Sequence, residues 1–312
     1  MSKTRIILTL CLISLLLISI NGCKKQQAGI SQTDPFVGGT TGLLLDFVQD
    51  APPDEVFDSG EFPFDVELKI TNDGEYDVVK EKCRVKMKGV KPSDFGMSEL
   101  DFVKYPGDNL DAKKKDSEGA IIEGITSYVT FSGFNYVGQV VGNTNYPLVA
   151  DVCYKYGTKV LSQLCVIEDL LKEGSGVCTV NEEKQIFNSG APVQITEFVE
   201  SARSREMIAF TFKIVHKGNG EIYGVDSDCD ISRANENKVW VDVQTDMVGT
   251  ECTGLSGGTT TTGYVVLYGG ERVVRCSQPV TRETDYVKSV NINLEYDYLE
   301  DISTTVLVKP VS

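Results

Sequence analysis

Histidine is almost absent from this sequence, which limits the chemistry that the chain can support. Among 312 residues, His216 is the only histidine, so a Ser-His-Asp site has a single candidate base. His216 ends an alternating segment just before Lys217 and Gly218, a position typical of an exposed turn. The cysteines form no Cys-x-x-Cys pair, and one histidine cannot complete a Cys/His zinc site. We therefore predict no catalytic residues and no enzymatic activity.

Positive charge is also scarce. The 30 Lys and Arg residues are outnumbered by 45 Asp and Glu residues, and the net charge is -15. A surface this acidic repels phosphate backbones, so nucleic acid is excluded as a partner of the protein body. The glycine-rich segment 254–263 lacks the lysine of a phosphate-binding loop and is predicted to be a surface loop.

The longest apolar run, from Ile6 to Ile20, is shorter than the ~20 residues of a membrane-spanning helix. It follows Lys3 and Arg5 and precedes Gly22-Cys23, an order that resembles a lipoprotein signal peptide. The resemblance implies cleavage before Cys23 and lipid on its sulfur, with residues 1–22 as the signal peptide. The chain would then be extracytoplasmic and anchored at a membrane surface through its N-terminal lipid. An uncleaved N-terminal anchor is the alternative.

Beyond a small, polar segment the dominant pattern is alternation of apolar and polar residues. It occurs in 64–70, 128–131, 239–243 and 290–296, with turn residues between the segments. The stretch 166–172 is the one segment that favours a helix. The sequence therefore predicts an all-β, antiparallel protein.

Segments in the two halves of the chain resemble each other in the same order. Lys69-Ile70 matches Lys213-Ile214, and the block 152–166 matches 294–308 without gaps. Cys83 has a counterpart in Cys229. The segment 42–48 likewise matches 193–199. These four matched blocks predict a duplicated β domain. The predicted organisation is a signal peptide (1–22), a flexible tether (23–41), β-sandwich 1 (42–170), an interdomain linker (171–190) and β-sandwich 2 (191–312).

An alternating strand that ends in Asn-x-Gly, here Asn72-Asp73-Gly74, resembles the immunoglobulin-like domains of microbial surface proteins. These include the CARDB-type modules of lipid-anchored proteins on microbial cell surfaces, including those of archaea. The second half departs from the pattern at His216-Lys217-Gly218, and the first half carries an insertion between Lys91 and Gly119. The resemblance implies two tandem immunoglobulin-like sandwiches with a role in adhesion.

The cysteines beyond Cys23 predict disulfides in an oxidising compartment. Cys153 and Cys165 are both missing from the second half, and a hairpin turning near Thr158 would place them opposite each other, so we predict that they form a bond. Cys83 and Cys178 are a further candidate pair. Cys229 has two candidate partners, Cys276 and Cys252. The seven cysteines after Cys23 leave at least one unpaired.

Asp226, Asp228 and Asp230 alternate, and alternating carboxylates suit a calcium ion. The segment departs from a calcium loop because Ile231 stands where glycine is needed and Asn237 where a bidentate glutamate is needed. The other interpretation is a solvated strand face. The sequence therefore requires no cofactor, and calcium stays an alternative.

Tyr154 and Tyr156, like Tyr296 and Tyr298, are two residues apart and share one face of a strand. They either pack in the core or, if Tyr154 and Tyr156 are exposed, contact a sugar or a protein. The function predicted for the whole chain is a non-catalytic binding, adhesion or scaffolding module with a protein or glycan ligand. The alternative is a carbohydrate-binding module or an accessory module of a glycoside hydrolase.

Overall fold

Antiparallel strands dominate the part of the chain that the structure describes, as the alternating sequence predicts. The computed structural model describes residues 33–171, 177–281 and 284–311, and from Asp34 onward they belong to one compact unit. Cys23 and the predicted signal peptide lie outside the described residues. Helical structure in the described ranges is limited to two 3-10 turns, Lys80–Lys82 and Pro92–Phe95. The helix predicted from residue 166 does not form at 166–171.

The described residues form nineteen strands. They are β1 (Leu43–Phe47), β2 (Glu55–Phe57), β3 (Phe64–Asn72), β4 (Cys83–Lys88), β5 (Val103–Lys104), β6 (Lys114–Lys115), β7 (Ile121–Ile122), β8 (Thr126–Phe134), β9 (Thr144–Val166), β10 (Glu182–Glu183), β11 (Phe187–Asn188), β12 (Val193–Ser204), β13 (Met207–His216), β14 (Glu221–Tyr223), β15 (Lys238–Gln244), β16 (Glu251–Thr253), β17 (Thr262–Val266), β18 (Glu271–Pro279) and β19 (Tyr286–Lys309).

The largest sheet contains strands from both halves of the chain. Its order is β17-β15-β19-β9-β4-β5, with β11, β14 and β2 pairing beside this path. A three-stranded sheet (β1-β3-β8) comes from the first half, and a five-stranded sheet (β10-β12-β13-β18-β16) comes from the second. A short hairpin, β6-β7, completes the set. In the part of the chain described, the one parallel pairing joins β2 to the end of β19.

The centre of the large sheet is the antiparallel pair β9 and β19. Their register runs without a break from Thr144 opposite Val308 to Val166 opposite Tyr286. The turn predicted near Thr158 is therefore wrong, because β9 continues straight through that residue. The halves also differ from two separate sandwiches joined at 171–190, since each supplies one central strand of a shared sheet.

Alternation places the apolar side chains of these strands in one core. β3 is typical: its residues 64, 66, 68, 70 and 72 are buried and the residues between them are more exposed. Val66 of the three-stranded sheet, Phe210 of the five-stranded sheet and Leu294 of the large sheet belong to the same apolar cluster. Burial of large apolar side chains is the main stabilising contribution to such a core.

The end of the predicted flexible tether is held by hydrogen bonds. The Glu75 carboxylate accepts from the backbone N–H groups of Val37, Gly38 and Gly190, at 2.9, 2.8 and 2.7 Å. Ala191 N–H also donates to the Gly39 carbonyl. Residues 37–39 are therefore part of the folded body, and the tether prediction was wrong for them. Residues 23–32 lie outside the described range.

Candidate functional site

Four tyrosines from the central strands lie on the inner face of the large sheet. Tyr154 lies opposite Tyr298, and Tyr156 lies opposite Tyr296. All four side chains are fully buried. The prediction that Tyr154 and Tyr156 contact a sugar or a protein was therefore wrong, and their alternative role in the core is correct.

The hydroxyl groups of two of these tyrosines bind the first long strand of each half. Tyr154 Oη accepts from the backbone N–H of Leu43 in β1, at 3.2 Å, and donates to Glu300. Tyr296 Oη accepts in the same way from the N–H of Val193 in β12, at 3.3 Å. Burial raises the pKa of both phenols well above the usual value, so both groups remain protonated hydrogen-bond donors.

The other two tyrosines bind the residues that end the second long strand of each half. Tyr156 Oη donates to Asn72 Oδ1 at 3.1 Å, and Tyr298 Oη lies 3.0 Å from His216 Nε2. Tyr298 Oη also accepts from Gly220 N–H. His216 is partly buried, and this burial lowers the pKa of its imidazole. The prediction of a solvent-facing turn histidine was wrong, because the ring packs against Tyr298.

A charged cleft opens on the outer face of the same central strands, with a cavity of about 240 Å³. We call it the central cleft. Its charged side chains come from β4 and the turn before it, from β9, from the loop 224–237 and from β19. They include Lys82, Arg84, Lys155, Asp226, Asp228 and Asp297. The alternation of β9 and β19 explains the location, because Lys155 and Asp297 point away from the tyrosines beside them.

Asp226 is the main anionic partner within the central cleft. Its carboxylate lies 2.9 Å from Lys82 Nζ and 3.3 Å from Lys155 Nζ. The hydrogen bond from Lys82 is the largest of the interactions that lower the pKa of Asp226. Lys155 lies also within 3.6 Å of Glu295. Both lysines therefore have partners within the protein.

Asp297 fixes the loop 224–237 over the outer face of the sheet. Its carboxylate accepts from the backbone N–H groups of Asp226, at 3.0 Å, and Cys229, at 3.4 Å. Asp226, Asp228 and Cys229 all have positive φ angles, between 54° and 59°. Backbone turned in this way forms a concave set of N–H donors that holds an anion. Desolvation nonetheless raises the pKa of Asp297.

A disulfide also attaches this loop to β9. It joins Cys153 to Cys229, with 6.0 Å between their Cα atoms. The predicted Cys153–Cys165 bond was wrong: both residues lie on the extended strand β9, and twelve residues of strand span roughly 40 Å. A disulfide requires Cα atoms within about 7 Å.

The remaining cysteines also pair differently from the predictions. Cys165 is bonded to Cys178, and Cys252 is bonded to Cys276 on the neighbouring strand. The candidate pair Cys83–Cys178 and both candidate partners of Cys229 were therefore wrong. Cys83 is a free thiol buried in β4, where desolvation raises its pKa to about 12. The prediction that at least one cysteine stays unpaired is correct.

The three alternating aspartates do not converge on a calcium site. Asp226 pairs with lysines, whereas the Asp230 carboxylate accepts from Ser232 and Asn235. In the described ranges, no group of three or more His, Cys, Asp or Glu side chains could hold a metal ion. The loop turns by positive φ angles at Asp226 and Asp228, which directs successive carboxylates to different neighbours.

Tyr105 forms the rim of the central cleft. It directly follows β5, and its side chain is 52% exposed. A second, more open cavity of about 400 Å³ shares Glu81 and Tyr105 with the central cleft and continues to Lys80 and Pro106. The charged cavity therefore leads into a more apolar groove.

An aromatic pair that sequence reasoning missed lies farther along the same outer face. Trp240 of β15 packs edge-on against Tyr264 of β17, with ring centroids 4.8 Å apart, and Lys238 lies over the Tyr264 ring. Trp240 also lies opposite Glu295 in the sheet. Trp240 occupies an outward position of the predicted strand 239–243, and that alternation was the signal available in the sequence.

Comparison with known proteins finds no match: no protein-family profile fits the chain, and the search of curated proteins returned no similar sequence. In the part of the chain that the structure describes, no helix is both long and apolar enough to cross a membrane. The three disulfides are typical of a protein of an oxidising, extracytoplasmic compartment.

Proposed function

We propose that this protein is a non-catalytic binding module of the cell surface, held at a membrane by lipid on Cys23, whose ligand occupies the central cleft. The observation that carries the proposal is a cavity in which oppositely charged groups remain without an ion-pair partner. Arg84 and Asp228 both line it, and among the described residues neither side chain forms an ion pair. Unpaired charges beside each other in a cavity favour a ligand that pairs with them.

The central cleft is held in place before any ligand arrives. The Cys153–Cys229 disulfide and the hydrogen bonds to Asp297 fix one wall, and β4 forms the other. A wall fixed in this way loses little conformational entropy on binding, which favours affinity. This arrangement supports a binding role for the loop 224–237.

The paired tyrosine contacts support duplication of one β unit, the origin that we propose for the two halves. Tyr154 with Leu43 has its counterpart in Tyr296 with Val193. The strand order β17-β15-β19-β9-β4-β5 likewise divides into three strands from the second half and three from the first. Descent from tandem immunoglobulin-like, CARDB-like modules is the corresponding proposal for the family.

Site-specific photocrosslinking in the intact cell envelope tests the binding function. A photoreactive phenylalanine analogue replaces Tyr105 at the rim of the cleft, and the matched control replaces Tyr268, which is 68% exposed in the turn after β17. We expect an adduct at position 105 and none at position 268. Equal labelling at both positions, or none at 105, contradicts the proposal. Intact-mass measurement of the same samples reports lipid on Cys23.

Glycan binding is a second candidate function, favoured by the Trp240–Tyr264 pair. Aromatic faces beside a carboxylate such as Glu295 provide both apolar contact and hydrogen-bond acceptors. A glycan array with the full chain and its Trp240→Ala variant tests this candidate. Loss of sugar binding in the Trp240→Ala variant supports a glycan site at this pair. Sugar binding that is unchanged in the variant shows that the sugar binds at another site.

A further inference from the structure

Some charged groups of the central cleft have no ion-pair partner among the described residues. Lys82 and Lys155 are neutralised by Asp226 and Glu295, and the Asp297 carboxylate is occupied by backbone N–H groups. The remaining cation is Arg84, and the remaining anions are Asp228 and Glu81. The cavity therefore presents one positive group and two negative groups to a ligand.

Arg84 and Asp228 are close neighbours that do not neutralise each other. Arg84 Nη2 donates to the backbone carbonyl of Asp228 at 2.9 Å, but the guanidinium and the Asp228 carboxylate form no ion pair within the described residues. A guanidinium has five N–H donors, so one bond to a carbonyl leaves donors for a carboxylate. The geometry thus holds a guanidinium donor against the backbone of the residue that carries a carboxylate acceptor.

We infer that the central cleft binds the zwitterionic head of a free α-amino acid, an inference that rests on the proposed binding function. The α-carboxylate would pair with Arg84, and the α-ammonium group would pair with Asp228. An α-amino acid carries these two charges on groups attached to one carbon atom, a spacing that suits neighbouring protein charges of opposite sign. A cavity of about 240 Å³ is of the size of a small ligand rather than of a folded segment.

The second anion selects among amino acids. Glu81 is exposed at the rim, where the central cleft joins the groove beside Lys80, Tyr105 and Pro106. The Lys80 ammonium group is held by the Gly107 carbonyl, to which it donates at 3.1 Å, so Glu81 is the group left to attract a ligand cation. A basic side chain extending along this groove would place its cation near Glu81 and its methylene groups against the Tyr105 ring. The cleft is therefore expected to prefer lysine or arginine over alanine or glutamate.

Calorimetric titration of the full chain in detergent tests the inference. The ligands are lysine, alanine, Nα-acetyl-lysine, lysine amide and cadaverine. We expect lysine to bind most tightly, alanine more weakly, and each derivative that lacks one charge of the zwitterion at least tenfold more weakly than lysine. Affinity should also fall with added salt, because the contacts are ionic.

Two variants locate the site, and one controls for charge. Arg84→Gln and Asp228→Asn should each weaken lysine binding tenfold or more, whereas Lys86→Gln, two residues along β4 on the same face, should not change it. Asparagine tolerates the positive φ of residue 228, so Asp228→Asn should keep the loop intact. Lysine-induced stabilisation against heat gives a second measurement if Arg84→Gln folds poorly.

The possible results separate the two proposals. Equal binding of the blocked derivatives, or lysine binding unchanged by both cleft variants, overturns the amino-acid inference. If no amino acid binds while crosslinking from position 105 still captures a ligand, the ligand class is wrong and the binding function stands. If crosslinking and titration both fail, both proposals are wrong.

Discussion

Lys155 of β9 lies directly opposite Asp297 of β19, and the outer face of the large sheet is organised around this pair. Cys153, two residues before Lys155 in β9, lies opposite Arg84 of β4. Glu295, two residues before Asp297 in β19, lies opposite Trp240 of β15. The two halves thus place different side chains, a guanidinium and an indole, at related positions. The central cleft occurs on the arginine side.

Removal of the Cys153–Cys229 disulfide should destabilise the protein strongly. The bond closes a loop with a sequence separation of 76, and in the chain-entropy model such a bond contributes about 4.5 kcal/mol. The double variant with serine at both positions should show that loss in chemical denaturation. The corresponding double variant at Cys165 and Cys178, with a separation of 13, should lose about 3 kcal/mol. A larger loss from the shorter loop would contradict the expectation.

Gly74→Ala should destabilise the fold by about 2 kcal/mol or more through overpacking. A Cβ atom at Gly74 would overlap the Tyr156 hydroxyl and would lie 2.6 Å from the carbonyl oxygens of Thr41 and Gly190. Gly142→Ala is the control, because a Cβ there meets no atom within 4 Å. Thermal unfolding of the two variants measures the difference. Equal melting temperatures would mean that the Tyr156 contact is not formed.

His216 should titrate below the usual value of 6.5, because burial disfavours its charged form. NMR can measure this without assignment, since the chain has one histidine. In the unfolded chain the imidazole becomes protonated as the pH falls through about 6.5, whereas in the folded protein burial keeps it neutral to a lower pH. Stability should therefore fall as the pH drops below about 6.5. A His216→Asn variant should lose that part of the pH dependence, and a measured pKa at or above 6.5 would contradict the prediction.

Glu200 should give stability a pH dependence of opposite sign. The Glu200 carboxyl is fully buried in β12; it accepts from Cys165 N–H and pairs with Lys184, yet desolvation raises its pKa from 4.5 to about 7. The folded state then binds more protons than the unfolded state between these values. Its contribution to stability is present below pH 4.5 and is lost as the pH rises toward 7, by an amount of about 3 kcal/mol.

The Glu200→Gln variant checks this sign. Its free energy of unfolding relative to the wild type should increase between pH 5 and pH 7.5, because the variant has no carboxyl group to ionise. Glu197→Gln, at an exposed position of the same strand, controls for the change in net charge. A constant difference between Glu200→Gln and wild type over this range would show that Glu200 is already ionised at pH 5.

Alternation was sufficient to predict several of the strands. Segments 64–70, 239–243 and 290–296 lie within β3, β15 and β19, because burial of one face fixes a period of two wherever a sheet covers a core. The shared face of the tyrosine pairs followed from the same geometry. What alternation does not encode is which strand neighbours which, and so the pairing of β9 with β19 was not predicted.

The central cleft depends on that missing information. Arg84, Asp228 and Asp297 are far apart in the chain and meet only because β4, β9 and β19 are adjacent in one sheet. The disulfide predictions were wrong for the same reason, because a turn predicted near Thr158 gave Cys153 the wrong partner. Spacing along a chain predicts local contacts, whereas Cys153 and Cys229 are brought together by the topology of the sheet.

The opposite charges of Lys155 and Asp297 also favour pairing between the two halves of one chain. A fragment that contained only the first half would leave the long edge of β9 without its partner, and such edges pair readily with another copy. In the register of the intact chain, that self-pairing would place Lys155 opposite Lys155, whereas β19 offers Asp297. Like charges directly opposite each other are unfavourable, so the two halves of one chain are better partners for each other than two copies of the first half would be.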